Sequence, residues 1–117
     1  MDQIEINGVE YVKKESIPQL DEKYVIIRTY SAGVFFGIIK EYNEETRTII
    51  MKSARRIWRW EGAASLSELA IEGTQKPEEC KFPCETYNHL ISQVIEIIPC
   101  TEKAVESIQG VEVWTQK

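Results

Sequence analysis

The chain has 117 residues, the size of one ordinary domain, and at this length folding buries roughly 65% of the unfolded chain's surface. Fourteen Lys and Arg against 19 Asp and Glu leave a net charge of -5, so the surface as a whole repels long DNA or RNA. The amino terminus has no basic stretch followed by an apolar one, and no apolar run approaches the roughly 20 residues that span a bilayer, so a soluble cytosolic protein with no membrane partner is expected.

Ile4-Glu5-Ile6-Asn7-Gly8-Val9-Glu10-Tyr11 sets an Asn-Gly pair between short alternating runs, the signal for a tight type I′ hairpin, which is expected within residues 1–14. Residues 16–21, with Pro18, read as a loop. Tyr24-Val25-Ile26-Ile27-Arg28-Thr29-Tyr30 is rich in β-branched and aromatic residues and predicts a strand. Turns at Ser31-Ala32-Gly33 and Asn43-Glu44-Glu45 then predict a three-stranded antiparallel meander over residues 24–53.

Ser65-Leu66-Ser67-Glu68 fits a capping box, and Gly73 suits the position after a helix, so a short helix is predicted over 65–72. Residues 74–86 contain Pro77 and Pro83 and read as a loop carrying Cys80, Lys81, Phe82 and Cys84. A strand over 90–98 is stopped by Pro99. Thr101 can cap a second helix over 101–109, with Ala104, Val105 and Ile108 at helical spacing, and Val111-Glu112-Val113-Trp114 is a last short strand at 111–114. The fold class is α+β: one domain over 1–117, mostly antiparallel β-sheet with two short helices.

The concentrated chemistry is Arg55-Arg56-Ile57-Trp58-Arg59-Trp60, which holds three of the five arginines and two of the three tryptophans. Arginine matches phosphate in a bidentate way and stacks on rings, and tryptophan offers the largest face for a nucleobase, so the run points to a nucleotide. In an extended chain Arg56, Trp58 and Trp60 share one face and form the candidate ligand wall; core, interface or strand-edge roles explain the same residue types. Arg28 interrupts an apolar strand and is read two ways, as an edge residue with its stem lying along the strand or as an anion ligand.

Cys80, Cys84, His89 and Cys100 have the right types for zinc but supply only one tight pair, so no metal is expected, and the odd set of cysteines fits reduced thiols. No phosphate-binding glycine loop and no nucleophile signature is present. Neither catalysis nor a cofactor is expected.

Several blocks resemble a known family. Val25-Ile26-Ile27-Arg28-Thr29-Tyr30-Ser31-Ala32-Gly33-Val34, Ala54-Arg55-Arg56-Ile57-Trp58, Trp60-Glu61-Gly62-Ala63-Ala64-Ser65-Leu66-Ser67, Pro77-Glu78-Glu79-Cys80-Lys81-Phe82 and Val94-Ile95-Glu96-Ile97-Ile98-Pro99-Cys100-Thr101 look like the phage Thoeris anti-defence family of nucleotide sponges. The likeness covers most of the chain from Tyr24 onward and little of the first fourteen residues. It implies a non-enzymatic protein in the cytoplasm of the bacterial host that binds and sequesters the cyclic ADP-ribose isomer made by Thoeris enzymes. Some family members form dimers and hexamers built from dimers, and some also take up cyclic oligonucleotides of the CBASS system.

By the same resemblance Arg28 and Phe82 are the first ligand contacts, followed by Arg56 and Trp58. Alanine at Arg28 or Phe82 is then expected to weaken binding while leaving the fold intact. A protein-interaction module that inhibits a host defence protein through a Trp/Arg hot spot is the alternative, because hot spots favour the same residue types.

Overall fold

A computed structural model describes residues 3–6, 9–12 and 23–115. Two strands, β1 (Gln3–Ile6) and β2 (Val9–Val12), form an antiparallel hairpin whose last pair, Ile6↔Val9, leaves a two-residue connection. The Asn7-Gly8 turn and the loop expected at 16–21 lie outside the described residues.

Five further strands build the main sheet: β3 (Tyr24–Thr29), β4 (Val34–Asn43), β5 (Thr48–Arg56), β6 (Glu85–Ile91) and β7 (Val94–Pro99). Every pairing is antiparallel, in the order β6-β5-β4-β3-β7, and the hairpin joins the far end of β4 through Val12↔Tyr42. With helices α1 (Leu66–Glu72) and α2 (Glu102–Gln109), this is the α+β fold that the pattern predicts.

The sheet is coiled rather than flat. Its edge strands β6 and β7 are consecutive in the chain, yet only Ser92 and Gln93 separate them. Gln93 turns the chain with φ 59, and the Val94 N–H donates to Arg47 O at 3.0 Å, so the two edges meet at one end. Bulges supply the bend. Register slips on both sides of Ile39 leave Lys52 and Lys40 as extra residues in their strands, which sharpens local twist. Beside them Gly37 passes so close to β5 that a Cβ would sit 1.9 Å from Ser53 O.

Because both sheet faces are covered, β3 runs Val25, Ile26 and Ile27 with none exposed, where a one-sided strand would alternate. Val25, Ile27, Phe35, Ile39, Ile49, Met51, Ile91 and Val94 fill the inside of the curl. On the outer face Ile26, Phe36, Ile57, Leu69, Phe82, Ile108 and Val111 pack together under the helices.

Ser65 Oγ accepts the Glu68 N–H at 3.2 Å, and Gly73 follows α1 with φ 77. Thr101 Oγ1 accepts the Ala104 N–H and donates to Ile71 O, so the cap of α2 also ties the two helices together.

Three boundaries differ from the sequence expectation. The meander runs on to Arg56 instead of ending at 53. The stretch 90–98 is not one strand but the end of β6 and most of β7, because the left-handed Gln93 reverses the chain. Residues 111–114 make only an isolated parallel bridge, Phe82↔Val113. No helix among the described residues is long and apolar enough to cross a membrane.

Candidate functional site

The Arg55 to Trp60 run straddles the end of β5, and its members have separate fates. Arg55 is 9% exposed. Its Nε donates to Pro83 O at 3.0 Å, its Nη1 to Ile108 O at 3.1 Å, and its Nη2 to Phe82 O at 3.1 Å and Val111 O at 2.7 Å. One guanidinium thus pins the loop before β6, the end of α2 and the segment after it. Burial pushes its pKa down, and Glu85 partly opposes that.

Arg56 is exposed and lies over the Phe35 ring, 4.5 Å from its centroid, at the open end of the curled sheet. Among the described residues no carboxylate comes within 4.0 Å of it. Stacking fixes its plane while its N–H edges stay free for an anion.

Beyond Arg56 the chain leaves the sheet, so period-two alternation stops there. Trp60 turns into the outer core, whereas Trp58 is 57% exposed. Residues 57–59 pair instead with the loop ahead of β6: the Trp58 and Arg59 N–H groups both donate to Lys81 O at 3.2 Å, and the Lys81 N–H to Arg59 O at 2.8 Å. The Trp114 N–H donates to Phe82 O at 3.0 Å, which brings its indole against that of Trp58. The two rings are parallel within 8°, centroids 5.1 Å apart, and Lys81 Nζ lies 5.3 Å and 5.4 Å from their centroids. Arg59 and Glu61 form a loose ion pair at 3.6 Å. The result is a stacked indole pair with one ammonium over both rings.

Phe82 is fully buried in the outer core and sits 5.5 Å from the Arg55 guanidinium. Within one chain its ring is not open to a ligand, so the expectation that Phe82→Ala spares the fold is replaced by a structural role. Arg28 is exposed on β3 and paired with Glu96 across β7, Nε to Oε1 at 3.1 Å. The edge position expected for Arg28 is not found, since β3 is paired on both sides; both halves of the Glu96 pair are about half exposed, so the bond itself contributes at most about 1 kcal/mol.

The four candidates do not converge in one chain. Register pairs Ile27 with Phe35 and Phe35 with Arg56, while Arg28 pairs with Val34. Arg56 therefore lies on the inner face and Arg28 on the outer face of the same sheet end. Among the described residues, four surface clefts of about 320 to 600 Å³ are lined by other residues. Lys81 and Trp114 went unread as site residues, since each is isolated in sequence and only their bonding to residues 58–59 and Phe82 joins them.

The thiols are free: Cys80 is buried, Cys84 exposed and Cys100 half-buried with its pKa pushed up to about 12 by burial. His89 Nδ1 is 2.8 Å from Thr86 Oγ1, and its ring meets the edge of Phe35. Among the described residues no three His, Cys, Asp or Glu side chains are grouped to hold a metal.

No curated protein and no solved structure matches the chain. One family profile does, across residues 22–108, from just before β3 to the end of α2, leaving the first hairpin and Trp114 outside. That span is well over half of the chain, which therefore belongs to the family described as a domain of unknown function (DUF6948).

Proposed function

We propose that the protein is a non-enzymatic sponge that binds a cyclic ADP-ribose isomer, the signal of Thoeris immunity, and withholds it from the defence effector in the host cytoplasm. The observation that carries this is the exposed Trp58 indole, stacked on Trp114 with the Lys81 ammonium over both rings, at the same sheet end as the exposed Arg56. A ring that stacks and cations that meet a pyrophosphate are what such a ligand needs. The block resemblance from Tyr24 onward supports the identity of the ligand.

Sequestration requires roughly nanomolar affinity, about -12 kcal/mol, which an open plate does not easily supply. The site is therefore completed between copies of the chain, as a dimer or a hexamer built from dimers, with Arg28 of one copy meeting the ligand beside Arg56 and Trp58 of another. Cyclic oligonucleotides are a second ligand class under the same proposal. Incubating the protein with the cyclic ADP-ribose isomer, denaturing it by heat and assaying the supernatant tests the sponge: intact ligand is expected, and altered ligand would make the protein an enzyme.

The open, unenclosed form of the Trp58 plate favours one other reading, a hot spot that docks on a host defence protein. Heat or a thermal shift with cyclic nucleotides separates the two, because the docking module gives neither.

A further inference from the structure

Away from the Trp58 plate, a cleft between the outer face of the sheet and the end of α2 holds two opposite charges that do not touch. It encloses about 320 Å³ and is lined by Tyr24, Phe36, Arg55, Glu85, Gln109 and Val113, among others. Arg55 and Glu85 are register partners on β5 and β6, yet among the described residues no carboxylate lies within 4.0 Å of the guanidinium.

Arg55 is nine-tenths buried and gives four of its five N–H groups to carbonyls, which leaves one on Nη1. Neutral carbonyls solvate the cation without cancelling its charge. A simple anion entering here meets Glu85, and a simple cation meets Arg55. An uncharged apolar ligand leaves the remaining N–H without a partner. A ligand carrying both charges close together meets both groups at once, Gln109 supplies a donor and an acceptor, and Phe36, Val113 and the Tyr24 ring form an apolar wall.

We propose that this cleft binds an apolar α-amino acid as its zwitterion, with the carboxylate on Arg55, the ammonium on Glu85 and the side chain against Tyr24, Phe36 and Val113. The site is independent of the nucleotide surface, because neither Trp58 nor Arg56 lines it.

Titration of the full chain with L-phenylalanine and L-leucine, by calorimetry and thermal shift, tests this. L-phenylalanine methyl ester, N-acetyl-L-phenylalanine and sodium acetate serve as controls. Saturable binding of the free amino acids is expected, weakened at least about tenfold in both blocked derivatives and absent with acetate. Glu85→Gln, at an exposed rim position, is expected to cause a similar loss with unchanged circular dichroism, and Val113→Trp to abolish binding by filling the cleft. Trp58→Ala is expected to leave amino-acid binding unchanged. No saturable signal at millimolar concentration, equal binding of the ester or the acetylated form, or full binding by Glu85→Gln overturns the assignment.

Discussion

The indole of Trp58 lies parallel to that of Trp114, 5.1 Å away, and the backbone of Phe82 is what brings them together. Phe82 O holds the Trp114 N–H, and the preceding Lys81 O holds those of Trp58 and Arg59. A fully buried ring thus anchors a fully surface-built plate, which links the stability of the outer core to the geometry of the candidate site.

Trp58→Ala is therefore expected to cost little stability, about 0.5–1.5 kcal/mol for the lost ring pair, while removing about 1–3 kcal/mol of binding to a ring-bearing ligand. Phe82→Ala is expected to cost about 3–5 kcal/mol of stability. Urea titrations of both variants check this. A Phe82→Ala protein with wild-type stability and lost affinity would place Phe82 in the ligand site after all.

Arg55 and Arg56 are expected to separate in the same way. Arg55→Met strips partners from four carbonyls, and charge-assisted bonds contribute about 1.5–3 kcal/mol each before relaxation, so a loss of about 3–5 kcal/mol is expected. Limited proteolysis should then cut after Gly110 first, where the freed segment begins. Arg56→Ala is expected to change stability by less than about 1 kcal/mol and to weaken anion binding.

These contrasts mark what the sequence made legible. The α+β class followed from β-branched runs, turn residues and two capped helical segments, and Ser65 and Thr101 cap as their types suggest. The coil of the sheet was not legible, because bulges at Lys40 and Lys52 and the left-handed Gln93 leave no compositional trace. Period-two alternation extended past Arg56 assigned Trp60 to the ligand wall, whereas β5 ends at Arg56 and Trp60 packs against the outer core. Lys81 and Trp114 join Trp58 only through long-range pairing.

Gly37→Ala is expected to destabilise by several kcal/mol, since its Cβ would meet backbone rather than a movable side chain. The effect belongs to the crossing of β4 and β5 and should appear as a lower urea midpoint with an unchanged slope. A neutral substitution would mean that β4 and β5 part readily at Gly37.

Cys100 gives a pH dependence. Its thiol is pushed up to about 12 from 9.0 by burial, so the folded state holds the proton that the unfolded state releases. The stability is fully present below about pH 9 and falls as pH rises toward 12. Cys100→Ala is expected to flatten that fall. In native protein near pH 8, alkylation followed by mass spectrometry should modify exposed Cys84 first and leave Cys100 until unfolding.

Calorimetric titration of the wild-type chain with a cyclic ADP-ribose isomer measures the proposed tight, non-destructive capture itself. A dissociation constant in the nanomolar range is expected, about -12 kcal/mol, falling at least about tenfold in Trp58→Ala and Arg56→Ala. No measurable heat and no thermal shift with the wild-type chain would show that the protein does not capture this ligand.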